Sequence, residues 1–310
     1  MSDGGDFEAG SKLPQAKREQ APALQSSSLI SVILPVHDGI APVHFRAALE
    51  SLRSQTHTQF ECIVVADGSI HEALIEQIDA QDQRFRLITL CQQGGPARAR
   101  NAGIREAAGD YIALLDADDV ALPDRLARQA AALREGKADI VGSWYYLIDE
   151  SGGRTGEKRM PVTGDAIRRS LAWRNPIANS TVMAKAEVLK AHLFDEAHGQ
   201  RLGRVYGEDY ELWIRLARAG CPMENLSEFL VEHRVDNAFI KRRQGWAPFL
   251  SDFQNKRRAL ALRSRVLRPA LWVVALVSSA LRLLPPPALA VVYRLTATSY
   301  SSATSTSGRL

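Results

Sequence analysis

Asp116-Ala117-Asp118-Asp119 places three carboxylates within four residues, directly after the apolar run Tyr111 to Leu115. Carboxylates crowded in this way repel one another unless a cation sits among them. Hard oxygen donors suit Mg²⁺ or Mn²⁺, which keep several waters and bind through one or two carboxylates plus a substrate's phosphates. The chemistry this suggests is a metal bridging a diphosphate. Standing alone, the same four residues read first as a solvated acidic turn, with Asp119 or Asp124 capping the next helix. Two more carboxylate positions accompany them. Asp67 follows the apolar run Phe60 to Ala66, and Glu208-Asp209 opens a stretch of helical periodicity. The second pair has a plain alternative, charge complementarity at a helix N-terminus.

These residues need elements to hold them. Tyr111 to Leu115 is a short continuous apolar run bounded by Gly109 and Asp116, the pattern of a strand buried on both faces of a parallel sheet. Its exit is the carboxyl end of a central strand, where open α/β sheets place their ligands. Leu29 to Leu34, Phe60 to Ala66 and Phe85 to Leu90 read as three earlier strands. Helices between them begin near Pro42, over Glu72 to Ile78 and over Ala97 to Ala107. Three βα units ahead of the acidic segment predict an α/β domain with a mostly parallel sheet flanked by helices. Farther on, the spacing predicts a helix over Pro123 to Leu133, a strand over Ile140 to Leu147 and a hairpin turn at Asp149 to Gly153. Asn175 to Met183 is strand-like, and Gly199 to Gly207 reads as a mobile loop. The helix from Gly207-Glu208-Asp209 is apolar on two sides and is therefore expected to be buried, ending at Gly220.

Composition bounds the rest. The chain has 310 residues, 45% hydrophobic and 24% charged, enough for one domain with a sizeable core plus an appendage. Residues 1–28 are polar, lack the apolar region of a signal peptide and read as a disordered tail. Cys62, Cys91 and Cys221 are an odd number without metal spacing; they read as small core residues, the first two in strands, in a reducing cytoplasm. His44, His57, His71, His192, His198 and His233 likewise show no metal-ligand spacing. The net charge of +4 hides an asymmetry: residues 236–310 carry +10 and the preceding body −6. Lys256 to Arg268 is a basic run, followed by the apolar segment Ala270 to Leu281 with Trp272 inside it. That segment is short of the ~20 residues that span a bilayer and suits a helix lying in the interface of an anionic membrane. Packing against the catalytic domain or a second copy is the alternative. Few aromatics interleave with the tail's arginines, so nucleic acid is not an expected partner.

Taken in order, SVILPVHDG, FECIVVADGS, GGPARARNAGIREAAGDYIALLDADD and GEDYELWIRLARAG resemble the motifs of the family 2 glycosyltransferases, over roughly Leu29 to Val235. The resemblance implies a GT-A fold over 29–235 with a C-terminal helical extension over 236–310, and an inverting transfer from a nucleoside-diphosphate sugar, UDP or another base. Pro35, Val36 and His37 would contact the nucleotide base, and Asp67 would accept hydrogen bonds from the base or ribose. Arg100, in the family's Arg-Asn pair, would support the phosphates. Asp116 would approach ribose and metal, Ala117 would lie beside the donor, and Asp118 would be the principal ligand of Mn²⁺ or Mg²⁺. Asp209 would be the base that deprotonates the acceptor hydroxyl, and a helix N-terminus favours its charged form. The chain departs from the family pattern at two places: His37-Asp38 stands where the family commonly has Tyr-Asn, and Ala66-Asp67 where a double Asp is frequent. The resemblance points to a glycan or lipid-linked acceptor in cell-surface polysaccharide or glycolipid synthesis, with the enzyme held peripherally at the cytoplasmic face of the membrane. A nucleotidyltransferase, or an inactive domain that binds nucleotide-sugar or membrane, is the alternative.

Overall fold

The computed structural model describes residues 28–200, 207–235, 239 and 243–295; the expected N-terminal tail, most of the Gly199–Gly207 loop and the Ser/Thr-rich end lie outside them. Among the described residues nine strands form one sheet, whose first half is parallel. β1 (Ile30–Val36) pairs with β2 (Phe60–Ala66) on one side and β4 (Tyr111–Leu114) on the other, and β2 pairs with β3 (Phe85–Thr89). α1 (Pro42–Arg53), α2 (Glu72–Asp79) and α3 (Pro96–Glu106) connect them. The second half is mixed. β8 (Met183–Lys185) runs antiparallel to both β4 and β6 (Ile140–Ile148), while β9 (Met223–Arg234) runs parallel to β6 and antiparallel to β5 (Val120–Ala121). β7 (Arg154–Lys158) closes a hairpin with β6 at the expected turn, where the Asp149 amide donates to the Gly153 carbonyl. The spatial order is therefore β3-β2-β1-β4-β8-β6-β9-β5, with β7 beside β6.

β4 lies between β1 and β8, and both its faces are covered. Tyr111 and Ala113 enter the core under α1 and α4 (Arg125–Arg134). Three short helices follow in the chain, α5 (Gly164–Ser170), α6 (Ala186–Ala191) and α7 (Ala197–Gln200). Ile112 and Leu114 enter the opposite core, under α3 and α8 (Glu208–Ala219). This is why the run is continuously apolar instead of alternating. α3 presses against β1 so closely that a Cβ on Gly103 would sit 2.6 Å from Ile33 Cγ2. In α8, Leu212, Trp213 and Leu216 are fully buried, and the helix stops at Gly220 in the left-handed conformation, φ 82°.

Several expectations need correction. The Asn175 to Met183 segment is a 3₁₀ turn at Asn179–Thr181 leading into β8, because its polar side chains serve the site described below. Only Cys62 is a core cysteine; Cys91 is exposed beyond the end of β3, and Cys221 is half-buried after α8. Neither Asp119 nor Asp124 caps α4 with its side chain. The basic run is also not wholly a surface for lipid. α9 (Trp246–Ala259) lies on α8, with Asn255 Nδ2 donating to the Gly207 carbonyl at 2.9 Å and Ala259 entering the α3/α8 core. Lys256 is buried, donating to Asp252 at 2.6 Å and to Ser278 at 2.9 Å on α10 (Arg268–Ala280). An ammonium inside a packed helix pair finds partners there, which cancels its value as a headgroup contact. After a short 3₁₀ turn at Leu281–Leu283, α11 (Pro286–Leu295) starts within the run of prolines.

Candidate active site

The carboxyl ends of β1, β2 and β4 and the start of α8 converge through hydrogen bonds. The Asp67 amide donates to the Val36 carbonyl at 2.8 Å, joining the loops after β1 and β2. The Asp67 carboxylate accepts from the amides of Gly94 and Gly95 at 2.7 and 2.8 Å, so it also fixes the entry to α3. Gly94-Gly95 is therefore a turn organised by a motif carboxylate. Of the three residues expected at a nucleotide base, Pro35 is half-buried and Val36 turns its side chain into the core. His37 is exposed and accepts from the Gly39 amide through Nδ1 at 3.0 Å.

Asp116 and Asp118 are half-buried and occupy different environments. Asp116 Oδ1 accepts from Arg100 at 2.8 Å and from Asn179 Nδ2 at 3.2 Å, and its amide donates to Ser180 Oγ. Burial works against its charge, but the Arg100 guanidinium outweighs it and keeps the carboxyl below its ordinary range. Asp118 has no side-chain partner among the described residues. Burial, reinforced by the negative charges of Asp119 and Asp116, pushes its carboxyl up to about 7. Ala117 is buried in the core under α1 and α4, so its methyl does not line the donor space. Asp119 is taken up by β9: Arg234 N donates to Oδ1 at 2.9 Å, and His233 Nδ1 stands 2.8 Å from Oδ2. Burial opposes charge on His233, yet Asp119 overrides it and raises the imidazole's pKa. The Arg234 guanidinium then donates to the carbonyls of Asp118 and Asp149, tying the acidic loop to the β6–β7 turn.

A carboxyl at Asp118 that accepts no side-chain hydrogen bond, next to the Arg100-held Asp116, fits a divalent ion. Among the described residues no group of three or more His, Cys, Asp or Glu could hold a metal ion. Such a donor set matches an ion that takes one or two carboxylates and completes its shell with water and phosphate.

Arg100 is 5% exposed, and its guanidinium donates to Asp116 and to Glu208 Oε1, both at 2.8 Å. It does not stand open to a phosphate as the motif implies; both ends of the fork are occupied by protein carboxylates. Asp209, next to Glu208 at the start of α8, is half-buried and accepts from Asn175 Nδ2 at 2.8 Å. The helix dipole alone favours its charged form, but burial and the Glu208 charge win, and its carboxyl is pushed up to about 6. Asn175, in the segment before the 3₁₀ turn, holds the base candidate, and Asn179, the first residue of that turn, holds the acidic loop. Both were missed in the sequence, as were His233, Arg234 and the fully buried Arg125, which donates to the carbonyls of Leu114 and Val182 and fastens β4 to β8. The cue for Asn175 and Asn179 was their polarity in a strand-like run.

The arrangement brings carboxylates suited to a divalent ion and a carboxyl of raised pKa to one end of the sheet. The family model for glycosyl transferase family 2 matches residues 31–197. An amylovoran biosynthesis glycosyltransferase, AmsE of Erwinia amylovora, is 28% identical over 270 residues, covering 86% of this chain and 98% of that protein. The O-antigen biosynthesis glycosyltransferase WbnJ of Escherichia coli is 31% identical, covering 69% of this chain and 83% of WbnJ. Among solved structures, S. aureus TarS 1–349 in complex with UDP-GlcNAc has a TM-score of 0.54 at 20% identity, covering 84% of this chain and 83% of that one. Mannosyltransferase PcManGT from Pyrobaculum calidifontis, in complex with GDP-Man and Mn²⁺, has a TM-score of 0.54 at 18% identity, covering 89% and 81%. The mixed sheet, its flanking helices and the order of its motifs are those of a GT-A fold, and the chain is a glycosyltransferase that belongs to glycosyl transferase family 2.

Proposed function

We propose that this enzyme transfers a sugar, with inversion, from a nucleoside-diphosphate sugar to an acceptor hydroxyl in the synthesis of a cell-surface polysaccharide or glycolipid. The observation that carries the reading is the Arg100 fork. It sets the acidic loop after β4 beside the start of α8, which supports a single site for donor-binding and proton-accepting carboxylates. Asp118, with Asp116, would hold Mn²⁺ or Mg²⁺, which stabilises the charge that develops on the leaving diphosphate. Asp67 and the exposed His37 would receive the nucleoside, and TarS and PcManGT, with UDP-GlcNAc and GDP-Man, support a nucleotide-sugar donor. Asp209 takes the proton from the attacking hydroxyl. A carboxyl held near 6 is mostly charged at neutral pH and still basic enough to accept that proton. Asn175 aims it. AmsE and WbnJ, named for amylovoran and O-antigen biosynthesis, support the class of product.

The acceptor, glycan or lipid-linked, would be met at the cytoplasmic face of a membrane. No helix among the described residues is long and apolar enough to cross one. α10 nevertheless turns Trp272, Val273, Leu276 and Val277 outward, with Val273 62% exposed, and no Asp or Glu occurs after Asp252. An apolar helix face among Arg263, Arg265 and Arg268 suits the interface of an anionic bilayer. The chemistry is tested by the anomeric configuration of the product, read by NMR: a linkage opposite in configuration to the donor supports the single-displacement reading, and a retained one contradicts it.

A further inference from the structure

We infer that Arg100 is a positioning residue: a buried strut that sets the spacing between the metal-binding end of β4 and the base at the start of α8. The inference rests on the transferase reading above. α3 carries the strut and is itself held at three points. Its entry is gripped by Asp67 through the Gly94 and Gly95 amides. Its middle presses on β1 at Gly103, where no side chain fits. Asn101, next to the strut, donates to the Phe194 carbonyl at 2.9 Å and to Glu196 at 2.8 Å, and accepts from the Phe194 amide at 2.9 Å. The residue that would receive the nucleoside, the residue that would meet the metal and the helix that carries the base are therefore fastened to one rigid element.

The guanidinium suits this task. A planar fork can donate to two carboxylates at fixed angles, whereas an ammonium is a point charge that binds one of them well. Arg100 Nη1 takes Glu208 and Nη2 takes Asp116. The Phe194 ring lies 5.4 Å from the guanidinium carbon, and Nε is buried without an acceptor, so the chain leaves the fork no other seat. Glu208 is 8% exposed and serves as the anchor on α8, while Asp209 one residue on is the group whose position matters. Misplacement of a reacting group by about 1 Å costs on the order of a hundredfold in rate. A strut predicts that its loss damages turnover, whereas a phosphate contact predicts loss of donor affinity.

The test uses the full chain with Arg100→Lys, Glu208→Gln and the double variant. Binding of UDP and GDP with Mn²⁺ is followed by calorimetry, and kcat is measured at saturating donor. The strut predicts diphosphate affinity within about threefold of wild type, kcat lowered by about tenfold or more in each single variant, and a double variant no worse than the poorer single one, since both weaken the same ion pair. If Arg100→Lys is too unstable to assay, Glu208→Gln alone carries the same split. A loss of diphosphate affinity with kcat unchanged would overturn the proposal in favour of a phosphate contact, and additive losses in kcat would overturn it as well. If the wild type transfers no sugar at all, the transferase reading falls. The strut is then judged by denaturant midpoints of the same cycle, where coupled losses uphold it and additive ones reject it.

Discussion

Replacing Asp209 by Asn should abolish transfer and make the protein more stable at neutral pH. The carboxyl is raised from its ordinary 3.8 to about 6, by burial first and by the Glu208 charge second. At about 1.4 kcal/mol per unit, holding this group charged costs the folded state on the order of 3 kcal/mol. The sign follows from proton binding. The folded carboxyl holds its proton more tightly than the unfolded one, so stability falls as pH rises from about 4 to about 6, and the full cost is present above that. An amide never carries the charge. Against this, an amide in place of the Asp209 carboxylate accepts on only one oxygen, so either the Tyr210 amide or Asn175 Nδ2 would lose its acceptor, at roughly 1 kcal/mol. The net gain at pH 8 is about 1–2 kcal/mol, and it should shrink toward zero or reverse at pH 4.5. Denaturant unfolding of both proteins at the two pH values measures it, with kcat and diphosphate affinity measured in parallel. The same group predicts an acid limb near pH 6 in kcat/KM of the wild type. A variant less stable than wild type at pH 8, or one that keeps turnover, would refute the reasoning.

Further substitutions probe the frame. Arg125→Met leaves the Leu114 and Val182 carbonyls and Gln129 without their buried donor and should cost about 3 kcal/mol or more in denaturant unfolding. Gly103→Ala gains helix propensity but drives a methyl against Ile33 on β1; the clash should win, at a net cost of about 1–3 kcal/mol by the same measurement. In the full chain, Val273→Ser with Val277→Ser should cut binding to anionic vesicles by tenfold or so in a sedimentation assay, while leaving unfolding within about 0.5 kcal/mol, since both side chains are exposed. Unchanged vesicle binding would place that face against protein instead.

What could be read in the sequence was local or periodic. The buried strand, the acidic run at its exit and the doubly apolar helix after Gly207 each carry their own pattern within a dozen or so residues, and the structure places them in one sheet with α8 against it. What could not be read depended on partners far along the chain. Asp119 passes for a helix cap until β9 brings His233 and Arg234 beside it, 114 and 115 residues later. Arg100 resembles a phosphate ligand until Glu208, 108 residues on, takes half its fork. The basic run hides a second signal. Ser251, Asn255 and Ala259 recur every four residues and face α8, and the charged letters between them drew the reading toward lipid. Lys256 shows the limit of composition most plainly: only the fold reveals that Asp252, Ser278 and Ser279 surround it.

The most direct test of the central claim is calorimetric titration of the purified chain with UDP, GDP and their sugars, in Mn²⁺, in Mg²⁺ and in EDTA, with Asp118→Ala alongside. The account predicts saturable binding of one diphosphate that needs the metal and disappears in Asp118→Ala, with Asp209→Asn binding as the wild type does. A folded wild-type chain that binds no diphosphate under any of these conditions, or binds one equally well in EDTA and in Asp118→Ala, would contradict it.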